Sequence, residues 1–212
     1  MDKGKKTTQS LFSQRDYSLE ELAFLKDRFR YWAKSVIPTF EVDEQNVDAI
    51  NQMFFYFIGS AQSNLNPKKG ILLMGDVGTG KTSLIKCFRL FAIEMHRGFS
   101  IELADAVSRN YEATGSLNKY LLKAYLTKQY MTLCIDDLGR EPLVSMYMGN
   151  RRNIVEALLF ERYVLFSNFG TITHATTNLD PDDLKERYGE AAYDRIREMF
   201  SVVALTGDSR RK

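Results

Sequence analysis

The sequence predicts an α/β fold in which a five-stranded parallel sheet lies between helices. Five short apolar runs alternate along the chain with stretches whose apolar residues recur at helical spacing. Strands joined by helices run parallel, because each helix returns the chain to the edge where the previous strand began. The first run leads into the glycine-rich segment 75–82 (GDVGTGKT), which has the spacing of a phosphate-binding loop.

The composition is that of one globular domain. The chain has 212 residues, of which 44% are hydrophobic and 26% charged, with a net charge of +2. No run approaches the roughly 18 uninterrupted apolar residues of a membrane span, and the N-terminus lacks a signal-peptide core, so we expect cytoplasmic residence. Cys87 and Cys134 are expected to be small core residues. The nearly balanced charge means that any nucleic-acid contact must come from local patches.

The chain begins with a segment that we expect to be separate from the sheet. Residues 1–17 are polar and predict a mobile tail. Ser18 and Glu21 fit a capping box that starts a helix, and a second helix is expected from a cap at Asp43. The first helix, with its basic and aromatic residues, could face a partner or pack on its own domain. We therefore divide the chain into 1–43, a flexible tail and a helix that is a candidate for partner binding, and 44–212, the domain that contains the sheet.

The glycine-rich segment follows the first predicted strand, Ile71–Met74, and precedes a helix. Free amide groups at a helix N-terminus attract anions, and glycines let the backbone close around them. This spacing predicts that Lys81 reaches the β- and γ-phosphates and that the Thr82 hydroxyl holds Mg²⁺. The predicted nucleotide-binding residues are Gly75, Asp76, Val77, Gly78, Thr79, Gly80, Lys81, Thr82 and Ser83.

An acidic pair ends the third predicted strand. The second strand is predicted at 99–103, followed by helical runs at 104–113 and 117–127. The third covers 131–135 and leads directly into Asp136 and Asp137. A carboxylate at the end of a parallel strand can hold the waters of Mg²⁺, which needs only one or two protein oxygens. The pattern predicts Asp136 as the second Mg²⁺ ligand, with Thr82.

The last elements place polar residues at the same edge of the sheet. A long helix begins near Ile154, and a fourth strand at 170–177 ends at Asn178. Asp180 is a helix cap followed by a proline suited to the first helical position. This helix carries Arg195 near its end, and the fifth strand follows at 201–205.

The ordered set of motifs resembles the AAA+ ATPases, and within them the DnaC/IstB type, the bacterial helicase loaders and transposase helpers. The resemblance covers roughly residues 44–212. The segments that carry it are GDVGTGKT (75–82), LCIDDLG (133–139), TTN (176–178), YG (188–189) with DRIR (194–197), and GDSRR (207–211).

The resemblance implies a role for each polar residue. Asn178 is expected to contact the γ-phosphate or the attacking water, and Arg211 to contact phosphate within its own subunit. Arg195 is expected to act as an arginine finger on ATP held by a neighbouring subunit, although a salt bridge along its own helix is the alternative. Asp137 would polarise water. Since many members have Glu there, hydrolysis is expected to be slow or assisted by Glu141.

The implied function is that of an ATPase acting in DNA replication. We expect ATP and Mg²⁺ as cofactors and a homo-oligomer with ATP at its subunit interfaces, assembling on a replicative helicase and single-stranded DNA. The alternatives are a transposition helper that binds duplex DNA and a nucleotide-gated binding module with little turnover. A small-molecule kinase is disfavoured, because the sequence shows no arginine-rich lid. The candidate DNA contacts are Ser108, Arg109, Lys119, Arg151 and Arg152.

Overall fold

A computed structural model describes residues 14–123 and 129–210. The helices are α1 (Leu19–Val36), α2 (Val47–Ile58), α3 (Lys81–Glu94), α4 (Ala104–Thr114), α5 (Ile154–Phe169) and α6 (Pro181–Met199). The strands are β1 (Gly70–Met74), β2 (Ser100–Leu103), β3 (Leu133–Leu138), β4 (Ser145–Tyr147), β5 (Asn150–Arg152), β6 (Thr173–Thr177) and β7 (Phe200–Ala204). In the described part of the chain, no helix combines the length and apolar character needed to cross a bilayer.

The predicted five-stranded parallel sheet is confirmed, with the strand order β2-β3-β6-β1-β7. β1 lies between β6 and β7, and its residues 70–73 are buried, as expected of a strand covered on both faces. Because all five strands are parallel, their carboxyl ends lie at one edge. The phosphate loop after β1, the acidic pair of β3 and Asn178 after β6 therefore come to neighbouring positions.

The N-terminal segment differs from its prediction. Residues 1–13 lie outside the described part, but the chain is already docked at Arg15, whose backbone exchanges hydrogen bonds with Gly59 and Ala61 at 3.0 and 2.8 Å. The predicted capping box is confirmed, since Ser18 and Glu21 exchange backbone-to-side-chain hydrogen bonds. The predicted Asp43 cap is wrong by one turn. Asp43 caps a preceding turn, and α2 begins at Val47.

α1 packs on its own domain, which is the second of the two alternatives for this helix. Phe29 is 3% exposed. Its ring stacks on Phe88 of α3 at 4.4 Å between centroids and meets Phe54 of α2 edge-on at 6.5 Å. On the outer side, Arg28 and Glu94 form an ion pair at 2.8 Å. Aromatic burial of this kind joins α1, α2 and α3 into one core on one face of the sheet.

The segment after α4 contains both a wrong prediction and an element that the pattern missed. In the described part of the helix predicted at 117–127, the structure has only a 3₁₀ turn at Asn118–Leu121, and Lys123 pairs antiparallel with Tyr130. Residues 124–128 lie outside the described part. After β3, β4 and β5 form an antiparallel hairpin whose turn contains Met148 and Gly149 with φ of 48° and 84°. Hairpins this short carry too few alternating residues to stand out by periodicity.

The amino ends of β3 and β6 are joined by a buried arginine. Arg162 of α5 is fully buried, and its guanidinium donates to the Thr173 hydroxyl at 2.8 Å and to the carbonyls of Met131 and Ile172 at 3.1 and 2.7 Å. Burial lowers the pKa of Arg162 to about 10. The group remains a cation at neutral pH, and its carbonyl partners replace the water that it loses.

Candidate nucleotide-binding site

The phosphate loop bends back on itself between β1 and α3. Gly80 is the N-cap of α3 with φ 97°, a left-handed conformation that favours glycine. At Gly75, a Cβ atom would lie 2.0 Å from the carbonyl oxygen of Leu205, so a side chain there would collide with the segment that follows β7. These constraints explain why glycines occupy both positions. They also hold the first amides of α3 open toward the loop's interior.

Lys81 lies on the inner side of the loop. Its ammonium donates to the carbonyls of Gly75 and Asp76 at 2.6 and 2.7 Å, and the residue is 5% exposed. Burial lowers the pKa of Lys81, while the carboxylates of Asp137 and Asp76 act in the opposite direction. The ammonium therefore lies inside the loop, and its contact with phosphate remains a prediction.

A cavity of about 170 Å³ opens beside this loop. It brings together eight residues that the sequence predicted for the site, among them Lys81, Thr82, Asp137 and Asn178. Its lining consists of Val77, Gly78, Gly80, Lys81, Thr82, Ser83, Asp137, Arg140, Asn178 and Arg210. The two arginines of this lining were not predicted from the sequence.

The acidic pair lies where the ladder between β3 and β6 is irregular, since the register shifts between Ile135 and Leu138. Asp136 is 1% exposed, and its carboxylate accepts from the hydroxyls of Thr82 and Thr176 at 3.2 and 2.5 Å. Asp137 has φ 57°, and its amide donates to the same Thr176 hydroxyl at 2.9 Å. Thr176 therefore fixes both aspartates, a contact that the sequence pattern did not predict.

The oxygens at this strand end fit Mg²⁺. The Thr82 hydroxyl and the Asp136 carboxylate face each other beside the phosphate loop, and both are hard oxygen donors. Among the described residues, no three His, Cys, Asp or Glu side chains come together in a group that could hold a metal ion. That agrees with Mg²⁺, which keeps several waters and takes further ligands from phosphate oxygens.

Arg140 and Arg210 bring positive charge to the cavity. Arg140 pairs with Asp137 at 3.3 Å, and Arg210 forms a bidentate pair with Asp43 at 2.7 and 2.8 Å. The backbone amide of Arg210 also donates to the carbonyl of Gly78 at 2.9 Å. Arg211, the residue predicted to contact phosphate, lies outside the described residues. The only sequence signal for Arg210 was that it stands beside Arg211.

Comparison with solved structures identifies the architecture. The crystal structure of the DnaC helicase loader aligns with a TM-score of 0.59 and 21% identity over 83% of this chain and 98% of that one. DnaI aligns at 0.58 and 19%, covering 94% of this chain and 97% of that one. The chain has the AAA+ fold. No protein-family model and no curated protein matches the sequence.

A third AAA+ neighbour contains ligands. The replication initiator DnaA bound to AMPPCP and single-stranded DNA aligns with a TM-score of 0.56 and 19% identity, covering 81% of this chain and 49% of that one. This chain therefore spans about half the length of that initiator. At these identities the likeness establishes the fold, and the function has to be argued from the site itself.

Glu141 cannot serve as the water-polarising group of this AAA+ site. It is 3% exposed, and its carboxylate accepts from the hydroxyl of Tyr188 at 2.6 Å, from Arg187 at 3.2 Å and from the amide of Gly139 at 2.9 Å. The expectation that Glu141 assists is corrected for this reason. Its observed contacts link the loop after β3 to α6, the helix that carries Arg195.

Arg195 does not line the cavity beside its own phosphate loop. Its guanidinium lies over the rings of Phe160 and Tyr163 of α5, at 4.8 and 5.1 Å from their centroids. In the described ranges it forms no ion pair with an acidic residue of α6, so the salt-bridge alternative is not observed. A position away from its own nucleotide is compatible with action on a neighbouring subunit, which remains a prediction.

The candidate DNA contacts differ in exposure. Ser108 is 1% exposed, so the structure does not support it as a DNA contact. Arg109 is exposed but forms an ion pair with Asp105, and Lys119 pairs with Glu102 at 2.9 Å. Arg151 and Arg152 are exposed on the β4–β5 hairpin, and the guanidinium of Arg152 lies 4.9 Å from the ring centroid of Tyr111.

A larger cavity of about 710 Å³ lies at the opposite edge of the sheet, near the amino ends of β2, β3 and β6. Its lining includes the rings of Tyr56, Phe57, Phe99, Tyr130 and Phe169. It has neither the glycine-rich loop nor the acidic strand end. We therefore assign the nucleotide to the smaller cavity.

Proposed function

We propose that this chain is an ATP-binding AAA+ ATPase that assembles, with ATP at its subunit interfaces, on a replicative helicase and single-stranded DNA. One observation carries the proposal. The cavity beside the phosphate loop collects Lys81, Thr82, Asp137 and Asn178, while Arg195 lies elsewhere in the same chain. With Arg195 acting on the ATP of a neighbouring subunit, hydrolysis depends on assembly.

The residues of the cavity divide the work of phosphoryl transfer. Lys81 would balance the charge of the β- and γ-phosphates, and Asn178 would orient the attacking water. Asp137 would accept a proton from that water once Arg140 moves away, because their ion pair at 3.3 Å occupies the carboxylate. Thr82 and Asp136 would hold Mg²⁺, which neutralises phosphate charge when bound. Arg195 of the next subunit would stabilise the charge that develops on the γ-phosphate.

The Asp137–Arg140 pair also favours an alternative, a nucleotide-gated binding module with little turnover. ATP binding and hydrolysis measured for the wild type, Lys81→Ala and Asp137→Asn separate the two. An ATPase loses binding with the first substitution and only hydrolysis with the second. If the wild type binds ATP and the rate of phosphate release equals that of Asp137→Asn, the binding module is correct and the ATPase proposal fails.

Assembly dependence is tested by mixing two inactive variants. Arg195→Ala keeps the phosphate loop but lacks the proposed finger, whereas Lys81→Ala lacks the loop lysine and keeps the finger. We expect each to be inactive alone and the mixture to recover part of the wild-type rate. The proposal of a shared site is refuted if the mixture is no more active than the two variants measured separately, or if Arg195→Ala alone hydrolyses ATP at the wild-type rate.

The partner is tested by capture from the native host in the presence of ATP. Recovery of a replicative helicase supports the loader, and recovery of a transposase supports the transposition helper. Binding to single-stranded and duplex DNA is measured over a range of salt concentrations, since phosphate contacts make affinity fall steeply with salt. Replacing Arg151 and Arg152 together with Gln is expected to weaken binding and flatten the salt dependence, whereas an unchanged slope would exclude the hairpin as a contact.

A further inference from the structure

The side chain of Arg195 lies over two aromatic rings that the sequence did not connect with it. Phe160 and Tyr163 are three residues apart on α5, so they share one face of that helix. The guanidinium carbon of Arg195 is 4.8 and 5.1 Å from their centroids, within the distance of about 6 Å at which a cation is attracted to an aromatic face. We call these two rings the aromatic platform.

The hydrogen bonds of the Arg195 guanidinium leave the terminal nitrogen Nη2 available. One terminal nitrogen, Nη1, donates to the carbonyl of Ala191 at 2.7 Å. Nε is buried and has no hydrogen-bond partner among the described residues. The side chain is thus held by flat contact with rings and by one backbone carbonyl, and in the described part of the chain Nη2 makes no hydrogen bond. An anion would be met by donors that are already oriented.

One acidic residue on the same helix as Arg195 is engaged by the aromatic platform. Glu198 lies three residues after Arg195 on α6, a spacing that ordinarily gives an ion pair. Its carboxylate instead accepts from the hydroxyl of Tyr163 at 2.8 Å. The ring of Tyr163 therefore contacts the guanidinium of Arg195. The hydroxyl of the same residue donates to the carboxylate of Glu198, which would otherwise be able to pair with Arg195. The positive charge of Arg195 is left unneutralised.

We propose that Phe160 and Tyr163 are positioning residues that hold Arg195 ready to contact the ATP of a neighbouring subunit. This rests on the proposed function, in which Arg195 acts between subunits. An arginine on a flexible stem must lose much of its rotational freedom to reach a transition state. Contact with the aromatic platform removes part of that freedom before the subunits meet. The alternative is that the rings only join α5 to α6 and contribute to stability alone.

The mixture of inactive variants tests this, because it separates the chain that donates the finger from the chain that holds ATP. The donor is Lys81→Ala and the acceptor is Arg195→Ala. Phe160→Leu is added to either chain, and the steady-state rate of ATP hydrolysis by the mixture is measured. In the donor we expect a fall of about three- to tenfold, from the loss of one cation–π contact. In the acceptor, which has no Arg195 to orient, the rate should stay within about twofold of the parent mixture.

Two further donor variants distinguish orientation from packing. Phe160→Tyr keeps a ring and is expected to restore the rate. Phe169→Leu removes a ring at the end of the same helix that contacts Tyr130, at 5.0 Å between centroids, rather than the aromatic platform, so the rate should not change. Thermal unfolding of each variant shows whether it is folded. If Phe160→Leu does not fold, Tyr163→Leu replaces it in the same two positions.

The outcomes separate the two proposals. If the parent mixture is inactive, the proposal of a shared site is refuted. The positioning role of the aromatic platform is then refuted with it. If the parent mixture is active and the donor variant has the parent rate, the positioning role is overturned while the ATPase stands. An equal loss from donor and acceptor variants also overturns it, because that result indicates damage to the fold.

Discussion

The hydroxyl of Thr176 is the contact on which the acidic strand end depends. It donates to the carboxylate of Asp136 at 2.5 Å and accepts from the amide of Asp137 at 2.9 Å, in a fully buried position. Thr176→Val keeps the side-chain shape and removes both bonds. Losing a bond to a charged group costs about 1.5–3 kcal/mol, and an unpaired buried amide costs about 1–3 kcal/mol. We expect the free energy of unfolding to fall by about 3 kcal/mol.

A double-mutant cycle measures this contact. Urea unfolding is followed for the wild type, Thr176→Val, Asp136→Asn and the double variant. The charged part of the bond is absent with Asn, so we expect a coupling energy of at least about 1 kcal/mol between the two sites. Thr177→Val is the matched control, because its hydroxyl contacts the carbonyl of Leu138 at 2.7 Å instead. If Thr176→Val and Asp136→Asn are additive within about 0.5 kcal/mol, Thr176 does not hold the carboxylate.

Two other buried titratable side chains, those of His174 and Glu141, give predictions about stability. Burial lowers the pKa of His174 to about 3 from 6.5, so the unfolded chain takes up a proton that the folded chain excludes, and stability falls as the pH drops below about 6.5. The free energy of unfolding is expected to be about 2 kcal/mol lower at pH 5 than at pH 7. Denaturant unfolding should show that this difference disappears in His174→Asn and persists in the exposed control His96→Asn. Arg187→Met breaks the ion pair with Glu141, whose side chain is fully buried, and should cost about 3 kcal/mol in chemical unfolding. Lys185→Met, which removes an exposed pair, should cost less than about 1 kcal/mol, and equal costs would contradict the account.

The elements that the sequence predicted well are those whose causes are local. The phosphate loop, the cap at Ser18 and the start of α6 after Asp180 depend on residues within a few positions of one another, and the structure contains each of them. The helix predicted at 117–127 failed for the opposite reason. Leu117, Tyr120 and Leu121 have helical spacing, but the structure forms only a 3₁₀ turn there. Lys123 pairs instead with Tyr130, a contact that periodicity does not reveal.

The sequence by itself determined the class of fold and one half of the nucleotide site, because the loop from Gly75 to Thr82 is contiguous and its chemistry follows from its spacing. Only the tertiary structure decided which side chains complete that site. Thr176 and Asp136 are separated by 40 residues, and Arg210 and Asp43 by 167. Pairs so far apart are set by strand order and packing, which leave no spacing in the sequence to be recognised.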